Sequence, residues 1–535
     1  MSRVPQRLSQ PGCRNLLARI LEQPDLAPQI QSLPPPVLGK LIRRIGLEDA
    51  GELVALATTD QLAHVFDDDL WSSETPGDAE RFDADRFLLW LEVMMEAGES
   101  YVARTLVELP EDLITLAIHR HILVLSIDEL AAEMQSASEQ EARQLDKALE
   151  SCLYEEVGEY QLMARKPEGW DTLLCAVLAL DREHSNFLHR LLGRCCALAS
   201  DYIEDNGGLY EVLTSDEMLE CDVAADREDR RAEGGFVAPT DASAFLKLAA
   251  QEASDGPTER DPVTRAWFRG LGKHPAAPRP APASSAQSNG LLRILKKESV
   301  LEETSAQKLL LPGADRGKRD SDPLLVQAMR RVAESDPRLF GERSEELAYV
   351  ANVLVSGCCL RSRRLRKIEA LRAAIATCSL ALALAPIDRR QVKEHGGGPV
   401  GRAVATLQHT PCDALFRLAW NRLNMQVVDR AAAVAEGWLI AAAGQGLAEN
   451  KPPLTRALRA LQQARSHGSP WSERGSLELL VEHFDASKVD ALGSLMDQVP
   501  TLPASLAPKG AAGPHFITSA AEWVAVRRLL DSWEG

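Results

Sequence analysis

The chain has 535 residues, a formal net charge of −18 and a hydrophobic fraction of 45%. The length exceeds what one hydrophobic core supports and favours about three domains of roughly 100–200 residues each. The hydrophobic fraction indicates that most of the chain folds, which excludes a largely disordered protein. Aromatic residues make up only 5% of the chain, whereas leucine and alanine are frequent, and this favours helices over strands.

The negative charge is concentrated in the first half of the chain. Residues 1–272 contain 25 basic and 51 acidic residues (25 − 51 = −26), whereas residues 273–535 contain 35 and 27 (35 − 27 = +8). An acidic surface repels nucleic acid and anionic membranes, so we expect neither as a partner of the first half. The asymmetry serves solubility, or else the acidic first half contacts the basic second half or each half recruits a different protein.

The N-terminal segment, the apolar runs and the cysteines bear on where the protein is located in the cell. The basic N-terminal segment has no long apolar core after it, unlike a secretion signal. The longest apolar run, Ala373 to Ile387, has 15 residues. A membrane-spanning helix needs about 20, so we predict a buried core helix. The ten cysteines follow no framework spacing and include no CxxC motif. We therefore expect a cytoplasmic protein without membrane insertion.

In chain order, the first informative stretch is LEDAGELVALATTDQLAHVFDDDLW, residues 47–71. Thr58 or Thr59 can cap a short helix with apolar residues at the helical period. The three aspartates Asp67–Asp69 follow that helix. Because the glycine and glutamate of a calcium loop are missing, we predict that they lie in a turn or cap the next helical turn rather than bind a metal.

Two further segments before residue 130 show helical patterns. RFLLWLEVMMEAG repeats its apolar residues at i, i+3, i+4, i+7 and i+8, with Asp83 or Asp85 as candidate N-caps and Gly98 as a C-cap. The Leu-Pro pairs that begin at Leu33 and Leu109 each precede an amphipathic helix, and the two segments align at an offset of 76 residues. This faint repeat is typical of short helix pairs stacked into an array.

Histidines provide the first candidates for a metal site. Glu183, His184 and His189 lie in one helical segment, and His119 and His121 lie in another. At about 100° per residue, the rings of each histidine pair point to different sides of a helix. We therefore assign them structural roles and predict no metal. The charged residues 217–235 then form either an exposed helix or a loop.

The clearest break in the helical pattern is rich in Pro, Ala and Ser and runs from Gly272 to Gly290. Such a composition buries little apolar surface, so we predict a linker that has room for one short helix before the last region.

No segment of the chain shows the alternation of apolar and polar residues that is typical of a half-buried strand. We predict an all-α, multi-domain protein, a helical array or superhelix of short helix pairs. The predicted parts are a short-helix array in 1–130, a central acidic helical domain in 131–271, a flexible linker in 272–322 and a C-terminal helical domain in 323–535.

The only glycine-rich loop, VKEHGGGPVGRAV from Val392, lacks the Lys-Ser/Thr of a phosphate loop, and the chain has no GxSxG elbow. We expect a hinge or lid there, with an anion site as the alternative. No catalytic, cofactor-binding or metal-binding residue and no cofactor is predicted.

The strongest basic cluster is RSRRLRK, residues 361–367. Arg363, Arg366 and Lys367 stand at i, i+3 and i+4 and can share a helix face. This face is either solvated and paired with acids, or a docking patch for the acidic half or another acidic protein. Nucleic acid is less favoured because no aromatic residues are interleaved for stacking. The predicted interaction patch comprises Arg361, Arg363, Arg364, Arg366 and Lys367.

The stretch from Leu33 to Trp71 resembles an uncharacterised bacterial family, a domain of unknown function. The resemblance continues through GFVAPTDASAFLKLA, EELAYVANVLVSG and ALFRLAWNRL. This family has no established activity, so the resemblance implies no catalytic residues. The same stretch is loosely similar to the superhelical N-terminal domain of bacterial magnesium channels, but no channel helices follow.

We expect a helical scaffold or protein-interaction module with protein partners rather than an enzyme. The alternative is an enzyme or ligand sensor whose site the sequence does not reveal.

Overall fold

A computed structural model describes residues 11–73, 77–136, 152–200, 215–251, 260, 262–271, 289–298, 322–361, 363–385, 398–445, 451–467, 474–508 and 513–533. The protein is mostly helical, with small two- and three-stranded sheets, which confirms the predicted all-α class. The chain divides into two compact, discontinuous units. Unit 1 comprises residues 1–72, 80–231 and 278–302, and unit 2 comprises residues 73–79, 232–277 and 303–535.

Unit 1 is built mainly from helices of 6 to 12 residues around one core, together with the longer helices α10 and α11. Its helices are α1 Pro11–Leu21, α2 Leu26–Gln31, α3 Pro35–Ile45, α4 Gly51–Leu56, α5 Thr59–Asp69, α6 Ala84–Met95, α7 Glu99–Glu108, α8 Glu111–His121, α9 Ile127–Ser136, α10 Trp170–Ser200, α11 Ser215–Glu233 and α14 Asn289–Lys297, with a 3₁₀ turn at Leu47–Asp49. Its strands are β1 Trp71–Ser72, β2 Arg81–Phe82, β3 Ile122–Ser126, β4 Tyr154–Val157 and β5 Tyr160–Ala164.

Local signals place several of these helices. The helices α3 and α8 begin directly after Pro34 and Pro110, as the Leu-Pro pattern predicts, because a proline beside the first turn needs no amide partner. The helix α6 is capped by the Asp83 side chain, which accepts the backbone N–H of Arg86 at 2.9 Å. Whether α3 and α8 belong to a true repeat stays a prediction.

The three-stranded antiparallel sheet in unit 1 was not predicted. The strand β5 lies between β3 and β4, and Ile122 pairs with Ala164 at one end of the β3–β5 ladder. Four of the five β5 residues are buried, so the period-two alternation that identifies a half-buried strand is missing. The strands β4 and β5 form a tight hairpin in which Gly158 adopts φ +61°, a conformation that glycine tolerates best.

Two other stretches are more buried than the sequence interpretation implied. Residues 217–235 fall largely in the helix α11, which buries Leu219, Val223 and Arg227 and so is not simply exposed. Residues 289–298, inside the predicted linker, contain α14, whose Leu291 and Leu295 are buried in the core of unit 1. The remaining linker residues before Asp322 lie outside the described residues, and the predicted domain boundaries stay a prediction.

Unit 2 has a separate, larger core. Its helices are α12 Pro239–Gln251, α13 Pro262–Leu271, α15 Leu324–Ser335, α16 Pro337–Gly357, α17 Lys367–Leu384, α18 Pro399–His409, α19 Cys412–Leu423, α20 Asp429–Gln445, α21 Lys451–His467, α22 Ala486–Leu495 and α23 Ala520–Asp531. A π-helical turn at Asn424–Val428 joins α19 to α20, a 3₁₀ helix spans Arg474–Leu480, and β6 Cys359–Leu360 pairs with β7 Arg363–Arg364.

The helix α17 contains most of the longest apolar run of the sequence. Its residues from Ala373 to Leu382 are all buried, which confirms the prediction of a core helix. Burial on every side explains why the run lacks an amphipathic period. Among the described residues, no helix is both long enough and apolar enough to cross a membrane.

Candidate functional site

The three aspartates Asp67–Asp69 form the last turn of α5 rather than a turn after it. The helix starts as predicted, with a capping box in which Thr58 accepts the N–H of Gln61 and the Gln61 side chain accepts the N–H of Thr58. Carboxylates are unfavourable at the negative end of a helix dipole. Here arginines offset that cost: the Asp69 carboxylate accepts hydrogen bonds from Arg86 Nε and from Trp90 Nε1, both at 2.8 Å.

The neighbouring Asp67 anchors α11 to α5. Its carboxylate accepts two hydrogen bonds from Arg230, at 2.7 and 3.0 Å, and its backbone carbonyl accepts one from Arg227 Nε at 2.6 Å. Arg227 also pairs with Glu80 at 2.6 Å, and its guanidinium lies 4.8 Å from the centroid of the Trp71 ring. Burial lowers the pKa of Arg227 to about 10, so the group stays charged at neutral pH. These acids therefore stabilise the fold through arginines from distant parts of the sequence.

Unit 2 contains a second buried charge cluster that the sequence analysis missed. The Glu346 carboxylate accepts hydrogen bonds from Arg343 at 2.8 Å, from Arg260 at 2.6 Å and from the backbone N–H of Cys412 at 2.8 Å. Arg260 also pairs with both oxygens of Asp413, at 3.1 and 3.3 Å. Burial raises the pKa of Glu346. Perturbed acids often mark catalytic sites, but every carboxylate oxygen here already has a donor, which favours a structural role.

The basic cluster does not form one helix face. Arg363 and Arg364 lie in β7, Arg366 is the N-cap of α17, and Lys367 is its first residue. The predicted i, i+3, i+4 face was wrong because the chain turns through a β-hairpin, with Leu360 paired to Arg363, before the helix begins.

Two arginines of this cluster share one buried acid. Nη1 and Nη2 of Arg363 each donate to Glu369 at 2.7 Å, and Arg366 lies 3.4 Å from the same carboxylate. Arg364 donates to the Ser73 hydroxyl at 3.2 Å. The pair between Arg363 and Glu369 holds the hairpin to α17. A role of the cluster in binding an acidic partner stays a prediction, as does the contact between the acidic and basic halves.

The structure does not bring the candidate histidines together into a site. A kink in α10 at His184, where φ is −141° and ψ is 46°, interrupts the helix that was expected to carry Glu183 and His189. His189 Nδ1 lies 3.5 Å from Glu159. His119 is buried, and burial lowers its pKa. In the part of the chain that the structure describes, no group of three or more His, Cys, Asp or Glu residues could hold a metal ion. The glycine-rich residues 392–397 lie outside that part.

Unit 1 also contains a surface cleft of about 440 Å³. Its lining includes the apolar side chains of Leu17 and Leu21 from α1 and Ile45 from α3. Leu21 is 39% exposed, which is high for a leucine. The rest of the cleft includes four acidic side chains and no basic one. Its lining residues are Leu17, Ala18, Leu21, Ile45, Glu48, Asp49, Gly51, Glu52 and Glu96.

A glycine lies beside one acidic residue of this cleft. A Cβ atom at position 51 would meet the carboxylate end of the flexible Glu96 side chain, so Gly51 leaves room for that end to lie close to α4. The cleft residues come from α1, α3, the 3₁₀ turn, α4 and the end of α6. The sequence does not indicate that these elements meet at one cleft, because the local pattern of each segment predicts only a helix.

Comparison with known proteins finds no curated protein and no solved structure that matches the chain. The similarity to the magnesium-channel domain therefore gains no support. The model of one family, described as a family of unknown function (DUF6178), matches residues 1–468. That match covers most of the 535 residues and includes every segment in which a family resemblance was predicted. The chain therefore belongs to DUF6178, a family of unknown function.

Proposed function

We propose that this protein is a protein-interaction module in which the helices of unit 1 form a docking cleft for a cationic, partly apolar segment of a partner protein. The observation that carries the proposal is the combination, in one cleft, of apolar side chains and four exposed acidic ones. An apolar anchor that enters such a cleft loses its contact with water, which stabilises the complex. The carboxylates then select basic neighbours of that anchor.

The size of the cleft sets the scale of its ligand. Its volume of about 440 Å³ falls in the range of pockets that hold small ligands. It would accept a few side chains of a peptide rather than the broad face of a folded domain. An amphipathic helix that places apolar anchors on one face and lysines or arginines beside them has the matching chemistry.

Peptide binding tests the proposal. A fluorescent amphipathic helix of about 14 leucine and lysine residues should bind the full chain, and a leucine–glutamate peptide of the same length should not. Salt should weaken the binding, because screening shortens the range of exposed charges. The double substitution Glu52→Lys with Glu96→Lys should lower the affinity for the cationic peptide about tenfold, which corresponds to about 1.4 kcal/mol.

A matched control separates the cleft from overall charge. Glu92 and Glu334 are exposed, and neither lines the cleft. Replacing both with lysine changes the net charge by the same amount and should leave peptide binding unchanged. Equal losses in the two double variants, or equal binding of the anionic peptide, would refute the docking cleft.

A further inference from the structure

The β6–β7 hairpin of unit 2 places an arginine in an unfavourable backbone conformation. Arg361 adopts φ +50°, and among the described residues only Asp25 shares a positive φ without being glycine. Arg361 directly follows Leu360, the last residue of β6. Glycine and asparagine adopt the left-handed region most readily. Aspartate enters the left-handed region several-fold more often than most residues, but arginine has no such preference.

Core contacts hold the hairpin in this conformation. The N–H of Arg361 donates to Asp497 at 3.0 Å, and Asp497 is only 4% exposed. The N–H of Cys359 donates to the Gln498 side chain. Leu360 and Leu365, on either side of the arginines, are buried in the unit 2 core. These contacts fix the backbone of Arg361 in the left-handed region. A change of side-chain rotamer therefore does not relieve the strain.

The side chain of Arg361 differs from those of its neighbours. It is exposed, and it forms neither an ion pair nor a side-chain hydrogen bond with any residue within the described ranges. Arg363 and Arg366 pair with Glu369, and Arg364 donates to Ser73. The chain therefore keeps a strained arginine at a position where glycine fits better and where the guanidinium stabilises no contact of the fold. Strain of this kind is concentrated at functional positions.

We propose that Arg361 anchors a second interaction site, on unit 2, which binds an acidic segment of a partner protein through a guanidinium–carboxylate pair. The planar guanidinium can donate two parallel hydrogen bonds to one carboxylate. The exposed side chain starts from a backbone that Asp497 holds in place, so less ordering is needed when it binds a partner. An acidic peptide fits better than nucleic acid, because no aromatic residue occurs between Cys358 and Lys367 to stack on bases.

The substitution Arg361→Gly separates binding from stability. Glycine relieves the left-handed conformation, so the melting temperature of unit 2 should rise by about 2 °C. The same substitution removes the guanidinium, so the affinity for a fluorescent peptide of about ten alternating glutamate and glycine residues should fall at least about fivefold. Arg361→Lys keeps the charge and should retain most of the binding. A purely structural arginine would not combine higher stability with weaker binding.

Arg331 provides the control, because it is exposed on α15 and its side chain also forms neither an ion pair nor a hydrogen bond with the described residues. Arg331→Ala removes one positive charge and should leave peptide binding unchanged. The proposal is overturned if Arg361→Gly binds the acidic peptide as the wild type does, or if Arg331→Ala loses as much affinity. It is also overturned if Arg361→Gly melts at a lower temperature, or if single-stranded DNA of matched charge binds more tightly than the peptide.

Discussion

Arg227 shows how one buried residue connects distant parts of the chain. Its side chain is 3% exposed, and it joins α11 to the backbone of Asp67 and to the carboxylate of Glu80, which is 2% exposed. Without Arg227 the buried Glu80 carboxylate loses its contact at 2.6 Å and keeps a longer one, with Arg231 at 3.3 Å. Breaking such a buried pair is more costly than the loss of an exposed pair.

Since Arg231 still contacts Glu80, the substitution Arg227→Ala should lower the free energy of unfolding of unit 1 by about 3 kcal/mol, the low end of the range for a broken buried pair. Chemical denaturation followed by tryptophan fluorescence measures this change. Arg190→Ala is the control, because Arg190 is 57% exposed in its pair with Glu111 and its loss should cost less than about 1 kcal/mol. Similar costs for the two substitutions would contradict a structural role for the buried network.

Glu369 should make unit 2 sensitive to acid. The hydrogen bonds from Arg363 lower the pKa of Glu369 below its ordinary value of 4.5. A depressed pKa means that the carboxylate stabilises the fold above pH 4.5 and loses that contribution as the pH falls through the lower pKa of the folded state. Glu369→Gln should reduce stability at neutral pH and flatten its decline below about pH 5.

Urea midpoints measured across this pH range check the prediction. Glu342 pairs with Arg338 at the surface, where their side chains are 49% and 90% exposed, so Glu342→Gln should leave the wild-type profile almost unchanged. If the stability of Glu369→Gln falls with decreasing pH as steeply as that of the wild type, a group other than Glu369 controls the acid sensitivity of unit 2.

At the scale of elements, the cap of α5 tests how local sequence sets a helix. The sequence allowed either Thr58 or Thr59 as the cap, and the structure selects Thr58. Thr58→Ala should destabilise unit 1 by about 1 kcal/mol, because it removes the hydroxyl that accepts the backbone N–H of Gln61 and so breaks the capping box. Thr59→Ala should cost less than half of that in the same denaturation experiment. The reverse order would show that the cap geometry is wrong.

Elements with local signals could be predicted, and those that depend on distant contacts could not. The starts of α3, α5, α6 and α8 follow from prolines and capping residues near them in sequence. The strand β5 was missed because burial on both faces removes its alternation. Asp67–Asp69 were misplaced because the arginines that stabilise them at a helix end come from α6 and α11.

At the scale of the whole molecule, each compact unit combines separated segments of the chain. The helix α14 belongs to unit 1 although it follows residues assigned to unit 2, and Arg19 of α1 pairs with Glu298 at its end at 2.9 Å. The amino-acid composition shows where the helical pattern breaks, but it does not show which hydrophobic core a helix after the break packs into. For the same reason the cleft, whose walls lie far apart in sequence, could not be predicted.

Hydrogen–deuterium exchange of the full chain, with and without the leucine–lysine peptide, tests the docking cleft most directly. We predict slower exchange in residues 17–21, 45–52 and 95–98, which contain the lining residues, because a bound segment shields the backbone it covers. This protection should disappear in the Glu52→Lys, Glu96→Lys variant. Saturating peptide that protects other segments and leaves these three unchanged would contradict the proposed function.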